Sequence, residues 1–129
     1  GTESRPGTLL QQIQIVEGTV GPAGEASVEV HTVAGDPDNG ASVDPDTCET
    51  TGQGFDTLCA TWTDEEFDAS KRHFYYARVL ENPSCRWSTY QCNALEEGER
   101  PAVCDSREVP ETIQERAWTS PIWVEPGAE

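Results

Sequence analysis

The sequence predicts a mainly β fold, an antiparallel two-layer β-sandwich-like domain with long loops and little helix. Apolar and polar residues alternate with a period of two in several short segments, as in strands with one buried face. Clusters of Gly, Pro, Asp and Asn separate these segments and are typical of turns. Only 35% of the 129 residues are hydrophobic, which predicts a thin core.

Two alternating segments near the N-terminus predict a hairpin with a glycine-rich turn. The first strand is expected at residues 9–16, where Ile13 and Ile15 alternate with glutamines. The second is expected at residues 26–33. In this second strand we expect the valines at positions 28 and 30 to point inward, and the Glu and His that follow them to point outward.

The middle of the chain is predicted to contain a long loop, a strand and one turn of helix. Residues 35–54 are rich in Asp, Pro, Asn and Gly and predict an irregular loop. Residues 55–62 alternate and predict a strand. The Thr-Asp-Glu-Glu sequence at residues 63–66 has the composition of a helix N-terminus, so a single helical turn is expected there.

The C-terminal half is predicted to contain one long strand and two shorter ones. Residues 72–80 alternate most regularly, and Pro83 ends that strand. Residues 87–92 predict a short return strand, and residues 95–111 predict a polar loop. Residues 117–124 predict a closing strand whose internal proline confines that position to an edge or a bulge.

The length and the opening residues predict one domain trimmed from a longer protein. A chain of 129 residues can form a single hydrophobic core. This chain contains no Met, the residue with which translation starts, so we expect it to be a piece of a longer protein. We expect residues 1–8 to be a flexible N-terminal tail or a trimmed boundary. Residues 9–125 are expected to form the C-terminal β domain of the larger protein, and residues 126–129 a tail.

The charge distribution excludes two classes of partner. The formal net charge is −16, and residues 6–70 contain 13 acidic residues and no Lys or Arg. Such a surface repels phosphate backbones and anionic lipid, so we expect no nucleic-acid partner and no membrane partner. Most of these acidic residues are expected to form a solvated face.

Five cysteines in a short polar domain predict disulfides and a periplasmic or secreted location. The chain has no Cys-x-x-Cys pair and only two histidines, so a structural zinc site is not expected. The spacing favours Cys48 with Cys59 and Cys85 with Cys92, which leaves Cys104 over. A bond from Cys85 or Cys92 to Cys104 is the alternative, because spacing does not determine connectivity.

The histidines also argue against a catalytic metal centre. Metal-dependent hydrolysis needs several His and Asp ligands that converge on the ion. His31 and His73 lie 42 positions apart on separate predicted strands. We therefore expect no catalytic residue in this chain.

The acidic loop contains a candidate calcium site. Asp36, Asp38, Asp44 and Asp46 are spaced much as carboxylates are in calcium-binding loops. An EF-hand has a ligand at the fifth position, where Gly40 stands here, and it ends in a Glu. A solvated, turn-rich loop is the favoured interpretation, and calcium is the one cofactor hypothesis for these residues.

Aromatic and arginine side chains concentrate in residues 73–92 and 116–123. The favoured interpretation is that these aromatic rings fill the core, because few other large apolar side chains are available. The alternative is a platform on which sugars or peptides stack. The candidate interaction residues are Tyr75, Tyr76, Arg78, Arg86, Trp87, Trp118 and Trp123.

Three segments carry a family resemblance. They are LQQIQIVEG at residues 10–18, FYYARVLENPSCRWSTYQC at residues 74–92 and ERAWTSPIW at residues 115–123. They resemble the C-terminal part of bacterial proteins grouped as domain of unknown function 3604, which are similar to PHP-type metal-dependent hydrolases. The resemblance implies an N-terminal barrel that binds divalent metal through an early His-x-His motif. No His-x-His occurs here, so no metal ligand of the family can be assigned to this sequence.

These observations give three expectations about function. The leading one is a non-catalytic C-terminal accessory domain of a PHP-like hydrolase of unknown substrate, whose partner is the N-terminal catalytic domain of the same chain. The second is a carbohydrate- or calcium-binding β-sandwich module. The third is a homodimer. It would form through the surface that this domain buries against the rest of the longer protein and that trimming exposes.

Overall fold

A computed structural model of the protein describes residues 7–106 and 108–127. Strands account for 38% of these residues and helix for 9%, and the strand pairs are antiparallel. The prediction of a mainly β fold with antiparallel sheets and little helix is therefore confirmed. Of the tails predicted at residues 1–8 and 126–129, residues 1–6 and 128–129 lie outside the described residues.

The described elements form one five-stranded sheet, called the main sheet, and two small two-stranded sheets. The main sheet contains β1 (Leu10–Val20), β2 (Ala26–Gly35), β5 (Arg72–Glu81), β8 (Arg116–Trp118) and β9 (Ile122–Val124). The small sheets pair β3 (Ser42–Val43) with β4 (Thr50–Thr51) and β6 (Ser84–Cys85) with β7 (Thr112–Ile113). The helices are α1 (Trp87–Asn93) and a short 3-10 helix (Ala102–Asp105).

β1 lies at the centre of the main sheet. It pairs with β2 on one side and with β5 on the other along nearly its whole length. β8 and β9 both pair with the outer side of β5, and Pro121 lies between them. The closing strand predicted at residues 117–124 is therefore divided into two, and Pro121, which has no N–H to donate to a ladder, lies in the gap at the edge of the sheet.

Alternation along the strands sends side chains to two opposite faces of the main sheet. Val16 lies opposite Tyr76, and the next residue, Glu17, lies opposite Tyr75. The face that we call the aromatic face carries Val16, Val28, Val30, Phe74, Tyr76 and Arg78. The other face, called the polar face, carries Glu17, Glu29, His31, His73 and Tyr75.

The predicted orientation of β2 is wrong. Val28 and Val30 are 64% and 48% exposed, whereas His31 on the polar face is half-buried. The reason is that another part of the chain covers the polar face. Trp62, in the segment that follows β4, packs its ring 4.9 Å from the His31 ring. The aromatic face of β2 has no such cover within the described residues.

Residues 56–70 form a loop, whereas a strand and a helical turn were predicted there. Phe55 makes one bridge with Leu10, after which the chain crosses the polar face. The Asp64 and Asp68 carboxylates each accept the backbone N–H two residues ahead, at 2.9 Å. Such local bonds compete with helical hydrogen bonds, so the acidic residues that suggested a helix form turns.

The return strand predicted at residues 87–92 is also wrong, because these residues form α1. The segment is short and mostly polar, so its pattern does not separate a strand from a helix. Tertiary contacts select the helix. The hydroxyl of Thr89, the buried residue of α1, donates to the Glu111 carbonyl at 2.7 Å.

The disulfides join Cys48 to Cys85 and Cys92 to Cys104. The favoured pairing of Cys48 with Cys59 and of Cys85 with Cys92 is therefore wrong, whereas the alternative bond from Cys92 to Cys104 is present. The spacing of the cysteines predicted the wrong pairs, because β3 packs against β6 and brings together cysteines that are 37 positions apart. Cys59 is an exposed free thiol.

The core is thin, as the composition predicts. The buried apolar residues among those described are Val16, Leu80 and Cys85. Buried amides take part of the interior: Gln114 donates to Gln11 at 2.7 Å and Asn39 donates to Asn82 at 2.8 Å. Among the described residues, every buried side-chain N or O has a hydrogen-bond partner, which removes the cost of burying these groups.

Removal of the Cys48–Cys85 disulfide should destabilise the fold measurably. We expect Cys48→Ala with Cys85→Ala to lower the free energy of unfolding by about 3–4 kcal/mol, because the bond restricts the unfolded chain. Urea denaturation measures the change. Cys59→Ser is the matched control and should shift the free energy by less than about 0.5 kcal/mol. Recovery of Cys59 in a disulfide-linked peptide would contradict the assignment.

Candidate functional site

The aromatic face contains an open groove of about 490 Å³. Phe74 and Tyr76 project side by side from β5, and their ring planes differ by only 5°. Trp123 lies opposite Phe74 on β9 and tilts against it, with ring centroids 5.3 Å apart. This groove, called the aromatic groove, is lined chiefly by Phe74, Tyr76, Arg78, Arg116, Trp118 and Trp123.

Gly18 allows the Phe74 ring to lie across β1. A Cβ atom at position 18 would stand 2.0 Å from Phe74 Cε1. Any side chain there would therefore force the ring off the strand. The absence of a side chain at Gly18 sets the position of the first ring in the groove.

The tryptophans of the groove are exposed to solvent. Trp118 is 66% exposed and Trp123 is 61% exposed. The expectation that the aromatic rings fill the core is therefore wrong for these two residues, and also for Trp87, which is 70% exposed on α1. Apolar surface of this kind, bordered by polar groups, marks interaction sites on soluble proteins.

Two arginines accompany the rings. Arg78 lies opposite Trp118 in the β5–β8 pairing, and its Nε donates to the Gln14 side chain. Arg116 lies opposite Leu80. Two other predicted interaction residues, Arg86 and Trp87, lie at the start of α1 and do not line the groove.

Tyr75 lies on the polar face, because alternation sends it away from Phe74 and Tyr76. This face contains a second cavity, of about 680 Å³, between the main sheet and the loop at residues 61–68. We call it the polar cleft. Its loop side is fixed by ring packing, since Trp62 contacts His31 and Phe67 lies 4.8 Å from the His73 ring.

Glu17 is central to the polar cleft. One carboxylate oxygen lies 3.1 Å from His31 Nε2, and the other lies 3.5 Å from His73 Nδ1. Glu29 approaches the same His31 nitrogen at 3.9 Å. The Glu17 and His73 side chains are only 11% and 2% exposed, so both groups lie in a strongly desolvated site.

Asp64 lines the cleft, and Tyr75 forms a hydrogen bond with it. The Tyr75 hydroxyl donates to Asp64 Oδ2 at 2.6 Å and lies 3.1 Å from His73 Nδ1. Burial raises the pKa of Asp64, but the hydrogen bonds from Tyr75 and from the Glu66 N–H, with smaller contributions from Glu17 and His73, outweigh it, so this pKa lies below its ordinary value. Burial and the Asp64 carboxylate raise the pKa of Tyr75. Asp64 is therefore a carboxylate at neutral pH and Tyr75 a neutral donor.

Two groups of three side chains in the cleft place one ligand atom each within 4.8 Å of one another. One group is Glu17, Glu29 and His31, and the other is Glu17, Asp64 and His73. The separation of the histidines in the sequence gave no reason to expect either group. The register of the predicted hairpin could have revealed the first group, because it places Glu17 beside positions 29 and 31.

The predicted calcium ligands are not brought together. The Asp36 and Asp44 carboxylates each accept the backbone N–H two residues ahead, at 2.9 Å. Neither these residues nor Asp38 and Asp46 belong to a ligand group among the described residues. The turns account for the aspartates of this loop, and calcium binding stays a prediction.

The disulfides are consistent with an extracellular protein. Within the described ranges, neither helix has the length and hydropathy needed to cross a bilayer.

Tyr75→Phe tests the hydrogen bond that joins the loop to the sheet. We expect it to lower the free energy of unfolding by about 1–2 kcal/mol at neutral pH, because a bond to a charged acceptor is lost. The Asp64 pKa is lowered in the folded state, so this stabilisation exists above the ordinary Asp value and disappears as pH falls through the lowered pKa. Wild type and variant should therefore converge in acid.

Urea denaturation at several pH values measures this difference. Tyr76→Phe, on the opposite face of the same strand, is the matched control. An equal loss in both variants, or a difference that persists in acid, would contradict the assignment.

Comparison with known proteins identifies the family of this chain. Residues 3–126 match the family described as "Protein of unknown function (DUF3604)". Searches of curated proteins and of solved structures returned no match. The family match covers nearly the whole chain, including the three segments that carry the resemblance. The chain therefore belongs to the DUF3604 family of proteins of unknown function.

Proposed function

We propose that this chain is a non-catalytic accessory module that docks on a catalytic domain through the aromatic groove. The observation that carries the proposal is the exposure of Trp118 and Trp123 beside ordered rings on a sheet face. The partner is a PHP-like metal-dependent hydrolase domain, which is the N-terminal region implied by the family resemblance. The substrate of that domain is outside the proposal.

The composition of the groove supports a protein partner. Trp, Tyr and Arg are the residue types that most often dominate the binding energy of protein interfaces. The groove presents all three on β5, β8 and β9, where backbone pairing holds them in place before binding. Because the backbone that carries these residues is already ordered, association does not have to order it, which lowers the entropic cost of binding.

Charge also supports this assignment of the surface. The chain carries a net charge of −16, yet the charged side chains that line the groove are Arg78 and Arg116. A partner surface with carboxylates opposite these two residues would be attracted to the groove, whereas the rest of the chain would repel it. The groove therefore determines the orientation of docking.

A carbohydrate is the second candidate ligand of the same groove. Phe74 and Tyr76 present rings that are nearly parallel, and Trp123 extends the row. Flat rings of this kind stack on the apolar faces of sugars, and arginines can donate to their hydroxyls. We also propose that the module acts in the periplasm or after secretion, where its two disulfides persist.

Trp118→Ala with Trp123→Ala tests the docking surface. Both rings are exposed, so the double variant should unfold with nearly the wild-type free energy, within about 1 kcal/mol. Its affinity for a separately purified PHP-like domain of the family should fall at least about 30-fold, because interface tryptophans carry much of the binding energy. Titration calorimetry measures the affinity, and urea denaturation measures the stability.

Trp87→Ala is the matched control, because Trp87 is equally exposed but lies outside the groove. It should bind as wild type does. Wild-type affinity in the double variant would contradict the proposal. Binding to a soluble polysaccharide that the double variant loses would favour the carbohydrate. A dimer of the chain alone that the double variant disperses would favour self-association, the third expectation.

A further inference from the structure

We propose that Glu17, Asp64 and His73 bind a divalent transition-metal ion in the polar cleft. Each residue offers one ligand atom, and the three atoms lie within 4.8 Å of one another. Two carboxylates and one imidazole are ligands that suit Zn²⁺ and its first-row neighbours, whereas Ca²⁺ prefers a larger set of oxygens. The site is separate from the aromatic groove, because it lies on the opposite face of the main sheet.

The orientation of His73 is the first argument. Its Nε2 lies 2.9 Å from the Asp68 carbonyl oxygen, which can only accept a hydrogen bond, so Nε2 carries a hydrogen. In the neutral ring, Nδ1 then presents its lone pair to the cleft. Metal-bound histidines are commonly held in this way, with the second ring nitrogen donating to a backbone carbonyl.

The surroundings of that lone pair are the second argument. His73 Nδ1 lies 3.1 Å from the Tyr75 hydroxyl oxygen and 3.5 Å from Glu17 Oε1, and the Tyr75 hydroxyl donates its hydrogen to Asp64 at 2.6 Å. Oxygen acceptors that surround Nδ1 in a buried site favour a cation there, and a metal ion can take the place that a proton otherwise fills. Lys71 also lines the cleft, but its ammonium lies 3.6 Å from Asp68.

The ligands come from three parts of the fold that are already fixed. Glu17 lies on β1 and His73 on β5, and the β1–β5 register holds them on one face. Asp64 lies in the loop, and its carboxylate accepts hydrogen bonds from the Glu66 N–H and from Tyr75. An ion bound by all three would join the loop to the sheet, and the cavity leaves room for water at the other coordination positions.

The test is a titration of chelator-treated protein with Zn²⁺, followed by calorimetry. A Cys59→Ser background removes the exposed thiol as a competing ligand. We expect saturable binding of a single ion. Asp64→Asn keeps the size of the side chain and an oxygen that accepts hydrogen bonds, but removes the charge. It should weaken Zn²⁺ binding by about 10- to 100-fold.

Glu65→Gln is the matched control. Glu65 also lines the cleft, and its substitution removes the same charge, but it belongs to neither ligand group. It should bind Zn²⁺ as the background does. Equal weakening in Glu65→Gln and Asp64→Asn would show general attraction by negative charge and would overturn the site.

A spectroscopic measurement avoids substituting the buried histidine, which could prevent folding. In nitrogen-15 NMR of the otherwise intact protein, Zn²⁺ should shift the His73 Nδ1 resonance strongly and its Nε2 resonance weakly. No heat and no Nδ1 shift at millimolar Zn²⁺ would overturn the proposal. Loss of binding in His31→Gln together with full binding in Asp64→Asn would overturn it as well, because the ion would then belong to the other group.

Discussion

The pairing of β1 with strands on both sides is the constraint on which the rest of the structure depends. Few apolar side chains are buried, so hydrophobic burial alone defines this fold weakly. The backbone ladders to β2 and β5 hold β1 on both sides, and buried amides such as Gln11 form hydrogen bonds beside them. The same ladders place Glu17 against the polar cleft and Gly18 beneath the aromatic groove. One strand therefore positions both candidate sites.

The sequence was sufficient to predict the long strands, but it was not sufficient to predict the structure of the short segments. Regular alternation located β1, β2 and β5 to within a few residues, because ten-residue strands leave a clear period-two pattern. Residues 56–70 and 87–92 carry weaker patterns, and contacts with distant residues decided their structure. The orientation of β2 failed for a related reason. Apolarity suggested that Val28 and Val30 were inside, but the side of a sheet that becomes covered depends on where a separate loop crosses it.

The two candidate sites were visible in the sequence to different degrees. The aromatic and arginine residues are concentrated in two segments, so they could be singled out as interaction candidates, although their exposure could not be known. No local sequence pattern indicated the polar cleft. Glu17, Asp64 and His73 are spread over 57 positions, and only the strand register together with the path of the loop brings them together. Disulfide connectivity depended on tertiary packing in the same way.

The placement of the disulfides divides the molecule into two parts with different sensitivity to reduction. Cys48, Cys85, Cys92 and Cys104 all belong to the small sheets, the helices and their connections, and no strand of the main sheet contains a cysteine. A reducing environment would loosen this peripheral part first, as a local opening. The main sheet, with the groove on one face and the cleft on the other, has no disulfide of its own and is held by backbone pairing. Reduction would therefore act first on the periphery, and only through it on the sheet that carries both surfaces.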